Sequence, residues 1–104
     1  MARNTNAFGV INIFNNMDYV RSVVGEICRA TPPPYRSVDW AVIPHPDGDP
    51  CLMLVLFLEN FAEHSTPQQT SIGEWAGVVI TKIRNAGIPC YLMRVSKNDM
   101  QRVW

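Results

Sequence analysis

The sequence predicts one small α/β domain of the split βαβ kind, a single sheet with two helices laid on one face. Three observations predict it. The chain has 104 residues, which suits one domain with one core. Four short stretches are rich in strand formers, and two longer ones carry apolar residues at three- and four-residue spacing. Proline, glycine and asparagine separate these stretches, in the order strand, helix, strand, strand, helix, strand.

Residues 1–7 are polar and are expected to form a flexible N-terminus. Residues 8–14, Phe-Gly-Val-Ile-Asn-Ile-Phe, read as the first strand. Asn15 and Asn16 end it, and Asn15 is the expected cap of the next helix. Asp18 then falls in the first turn, where the helix dipole favours a negative charge. The helix is expected over 16–29, because Met17, Val20, Val24 and Ile27 share a stripe with Val23 beside them. Thr31 and the prolines 32–34 stop it, since proline lacks the N–H that a helix needs.

Residues 38–43 read as the second strand and 51–58 as the third. The turn-rich segment 44–50, with its Asp-Gly step, makes them a hairpin. Residues 59–65 have no clear pattern. Thr66 is the expected cap of the second helix, Pro67 its first residue and Gln69 the reciprocal capping partner. Ile72, Trp75, Ala76, Val79, Ile80 and Ile83 form its buried face. Gly87 supplies the left-handed residue that ends a helix. Residues 90–95 are the fourth strand, and 96–104 are a tail ending in Val103-Trp104.

This order is the ferredoxin-like βαββαβ arrangement. Right-handed crossovers place strands 8–14 and 51–58 in the middle of a four-stranded antiparallel sheet, with 38–43 and 90–95 at its edges. Such a sheet, covered on one side, ordinarily alternates apolar and polar residues. Here the alternation fails. Leu52, Leu54 and Leu56 share one face of the third strand, while Met53, Val55 and Phe57 share the other. The face away from the helices is therefore expected to present Val10, Phe14, Met53, Val55 and Phe57 as one apolar patch. A patch of that kind points to a protein partner or a second copy of the chain. The competing expectation is that the tail, with Met100, Val103 and Trp104, packs on the sheet. Trp40, Tyr35, Arg94 and Trp104 complete the expected interface, since aromatic and arginine side chains often anchor one.

Composition narrows the function classes. Only 17% of residues are charged, and the nine basic and nine acidic residues cancel. That balance lacks the basic excess of a general nucleic-acid binder and offers little charge repulsion against self-association. Cys28, Cys51 and Cys90 form no Cys-x-x-Cys pair. Three such cysteines suggest free thiols and a reducing compartment, hence a cytoplasmic protein. The first residues lack an apolar core, so no signal peptide is expected, and the apolar run 51–58 is too short to cross a bilayer.

Chemistry is thinly marked. His45, Asp47 and Asp49 are spaced by two in the hairpin loop, and are weak candidates for a metal site. Glu63 and His64 follow the third strand, at the opposite end of the sheet from His45. No pattern for a nucleotide, metal or other cofactor stands out. The expectation is a small non-catalytic protein-binding domain, such as a regulator, inhibitor, immunity protein or assembly factor. One alternative is a small homodimeric enzyme with a cavity between open sheets, drawing on Asn12, Tyr91, Arg94 or His45. Another is an RNA-binding sheet, with Phe8 or Phe14 and Phe57 as stacking aromatics.

Overall fold

The computed structural model describes residues 12–57 and 64–95. Within them the chain forms a small α/β domain, two helices packed against a three-stranded mixed sheet. Helix α1 is Met17–Ala30, strand β1 is Trp40–Pro44, strand β2 is Leu52–Phe57, helix α2 is Thr66–Asn85 and strand β3 is Cys90–Val95. The N-terminal residues 1–11, the segment 58–63 and the tail 96–104 lie outside the described residues. So do the expectations placed on Val10 and Trp104.

The hairpin is as expected. β1 and β2 pair antiparallel, with Trp40 opposite Leu56 and Pro44 opposite Leu52. The sheet order is β1-β2-β3, and β2 pairs parallel with β3, Leu52 opposite Cys90 and Phe57 opposite Val95. This corrects the expected antiparallel sheet. In the split arrangement another strand separates these two. Here Leu52 N–H donates directly to the Pro89 carbonyl at 2.8 Å, and the ladder continues to Val95. β2, α2 and β3 thus form an unsplit crossover, for which the 20 residues of α2 are ample.

A second correction concerns residues 12–14, the described end of the expected first strand. The sequence predicts strand there, but Ile13–Asn15 is a single 3-10 turn. The Asn12 side chain accepts a hydrogen bond from the Phe14 N–H at 3.0 Å. Such a local bond offers the backbone an alternative to a ladder. Asn16, not Asn15, precedes α1, and its side chain donates to the Asn12 carbonyl at 3.0 Å rather than capping the helix.

α2 begins one residue earlier than expected. Ser65 is the cap, and its hydroxyl accepts from Gln68 N–H, while the Gln68 side chain accepts from Ser65 N–H at 2.8 Å. Its end is as expected. Gly87 has φ +87°, Gly87 N–H donates to Arg84, and Ile88 N–H reaches back to Ile83. That pair of bonds satisfies carbonyls that the helix leaves open. Ile83 and Ile88 are both fully buried beside it.

The main core lies between the helices and the sheet. Leu52, Leu54 and Leu56 face Val20 of α1 and all six predicted residues of α2's inner face. Trp75 anchors the seam, with its indole N–H donating to the Thr31 carbonyl at 2.8 Å. Lys82 Nζ donates to the Thr31 hydroxyl at 2.8 Å, so the end of α1 is tied to α2 twice.

Candidate interaction surface

The strands place apolar side chains on both faces of the sheet. Opposite the helices lies a second cluster, drawn from all three strands: Met53 and Val55 at its centre, with Ile43, Phe57, Met93 and Val95 around them. Val55 is fully buried, Met53 nearly so, and the four surrounding side chains are half-buried. The period-two rule creates this strip. Odd-numbered residues of β2 point away from α1 and α2, and none of them from 51 to 57 is charged.

The expected interface residues divide. Met53, Val55 and Phe57 do share the strip. Phe14 does not, because the 3-10 turn carries it away from the sheet, where it is 51% exposed. Trp40 is also reassigned. It points to the helix side and meets Trp75 edge-on, with ring centroids 5.1 Å apart and planes at 80°. It therefore belongs to the main core. Tyr35 packs against that core and lies 5.6 Å from the His64 ring. Arg94 stands opposite Leu56 in the ladder, so it shares the helix-side face and is not part of the strip.

The hairpin loop gathers His45, Asp47 and Asp49 without building a ligand set. Asp47 N–H donates to His45 Nδ1 at 3.0 Å, so that nitrogen already serves the loop's own backbone. It lies 4.0 Å from the well-exposed Asp47 carboxylate. Nε2 lies 3.9 Å from Asp49, too far for a hydrogen bond. Both carboxylates are well exposed. Among the described residues, no three His, Cys, Asp or Glu side chains are grouped to hold an ion.

The residues considered for an enzyme are scattered. Asn12 caps the 3-10 turn, and Tyr91 lies under the Arg84 guanidinium at 5.1 Å. His45 sits in the hairpin loop, while Arg94 is on β3. The structure brings together a pair that sequence reading missed. Ser37 Oγ lies 3.2 Å from His64 Nε2, although 27 positions separate them. A hydroxyl beside an imidazole is the start of a nucleophilic site. The adjoining hollow, lined by Val38, Asp39 and Ile72 among others, holds only about 10 Å³.

All three cysteines are free thiols. Burial raises the values of Cys28 and Cys51, and Asp49 adds to the rise at Cys51. Burial pushes Cys90 up to about 11. A raised value keeps the unreactive thiol form, so these side chains act as small apolar groups.

A larger groove, also missed by the sequence reading, runs between α1 and the outer edge of β1. It holds about 520 Å³ and is mostly apolar. No single-element pattern marks it, because its two walls come from segments about 20 residues apart. Among the described residues, no helix is long and apolar enough to cross a membrane. Comparison with family models, curated proteins and solved structures finds no match.

Proposed function

We propose that this chain is a small non-catalytic protein-binding domain whose apolar sheet face pairs with a second copy of itself. One observation carries the reading: on the face opposite both helices, the half-buried Ile43, Phe57, Met93 and Val95 keep apolar surface in water around Met53 and Val55, which are already buried within the chain. Apolar area withdrawn from water contributes roughly 25 cal/mol per Å² before the cost of association. Zero net charge leaves that attraction little opposed. Regulators, inhibitors, immunity proteins and assembly factors all work by such contacts. The three free thiols fit a reducing compartment such as the cytoplasm.

The test is native mass across the micromolar range, for the parent chain and for Phe57→Lys and Met93→Lys. Both substituted residues are half-buried members of the strip. A dimer that dissociates in either variant is the expected result. A monomer at every concentration overturns self-pairing.

A further inference from the structure

The groove between α1 and β1 has two properties that the sheet-face reading does not use. First, β1 is the outer strand of the sheet among the described residues. Phe57 N–H donates to the Asp39 carbonyl and His45 N–H to the Cys51 carbonyl. Asp39, Ala41, Ile43 and His45 therefore turn their main-chain groups toward β2. Trp40, Val42 and Pro44 turn theirs outward, and no described residue pairs with them. Among the described residues, this edge thus offers donors at Trp40 and Val42 and acceptors at Trp40, Val42 and Pro44. Pro44 has no N–H to give.

Second, the groove has one cation among its described lining residues. Met17, Val20 and Val24 of α1 form one wall, and Trp40, Val42 and Pro44 form the other. Arg21 stands among them and has no ion pair or hydrogen bond with a described residue. A helix laid in this groove would leave the β1 edge unmet, because its own backbone groups are already bonded. An extended segment would meet them and set alternate side chains against α1.

We infer that the α1–β1 groove binds an extended strand of a partner polypeptide, apolar at alternate positions and carrying one carboxylate that pairs with Arg21. The strand adds to the sheet beside β1. Its main-chain groups bond to Trp40 and Val42, its apolar residues fill the space against Val20 and Val24, and its acid meets the guanidinium. A carboxylate–guanidinium bond also fixes the register of the strand in the groove. The site lies on the edge of the sheet and on its helix side, so it is separate from the strip proposed for self-pairing.

The probe is a set of synthetic hexapeptides, apolar at alternate positions, with one glutamate moved stepwise along the sequence. A matching set has glutamine instead. Backbone amide exchange and titration are read together. Exchange should slow at Trp40 and Val42, and the best glutamate peptide should bind about tenfold more tightly than its glutamine counterpart. Arg21→Glu should abolish that preference. Gly25→Leu should weaken binding by filling the groove beside Arg21. A Cβ at 25 meets only the movable end of Arg29, and replacing a mid-helix glycine favours the helix, so far-ultraviolet circular dichroism should match the parent chain. Phe57→Lys should leave peptide binding unchanged. Four outcomes would overturn the inference: no binding by any peptide; slowed exchange at Leu92 and Arg94 instead; equal binding of the glutamate and glutamine sets; or slowing at Trp40 and Val42 that follows protein concentration without peptide, which would give the groove to a second copy.

Discussion

Cys90 shows how a single side chain couples to pH. Its thiol is fully enclosed, and burial pushes its value from the ordinary 9.0 up to about 11. The folded state therefore prefers the neutral form. The stability this supplies is whole below pH 9 and is lost as pH rises through about 11. Denaturant unfolding should show stability falling over that window, and falling less steeply in Cys90→Ala. Equal slopes for the two proteins would remove Cys90 as the cause. Leu54 gives the packing counterpart. It is fully buried on the central strand, so Leu54→Ala should cost about 2–5 kcal/mol, read from the denaturant midpoint.

Helix ends set the next scale. The reciprocal Ser65–Gln68 bonds begin α2, and Ser65→Ala should lower stability by about 1 kcal/mol. At the other end Gly87 holds φ +87°. Gly87→Ala should cost about 1–2 kcal/mol, because an L side chain crowds the carbonyl there. A loss no larger than that of an exposed surface change would rule out this reading of the turn. α2 was legible because six apolar residues keep helical spacing between strong end signals. Its start was misread by one residue, since Ser65 and Thr66 are both good caps and only the bonds distinguish them. Residues 12–14 were misread for a different reason. Ile and Phe favour a strand, but the amide of Asn12 reaches its own backbone two residues on, and composition does not register a bond of that kind.

For the whole molecule, the order of the last five elements, helix, strand, strand, helix, strand, was readable and strand order was not. Periodicity says which residues alternate, but it carries no information about which strand lies beside which. The parallel pairing of β2 with β3 appears only once α2 is seen to return the chain directly to its neighbour. The two apolar faces of β2 were legible, because Leu at 52, 54 and 56 and Met, Val and Phe at 53, 55 and 57 occupy opposite parities. The groove was not, since it exists only between α1 and an edge. If the strip directs self-pairing, Phe14→Ser should leave the native mass unchanged while Phe57→Lys lowers it. Phe14 lies on the 3-10 turn and Phe57 within the strip. A loss of mass in Phe14→Ser would move the contact off the sheet.

The unsplit crossover also bears on how the chain is made. β2 is the most apolar stretch of the described protein, and both of its hydrogen-bonding edges are used in the finished sheet. During synthesis β1 is available at once to cover one edge. The other edge waits until α2 and β3 have emerged, some 38 residues after Phe57. At roughly 5–20 residues per second that leaves an interval of seconds. Throughout it, an uncharged run of strand formers can pair with the same run on a neighbouring nascent chain. Crowded polysomes should therefore penalise this protein more than its folded stability suggests, and slower elongation across α2 should lengthen the exposure.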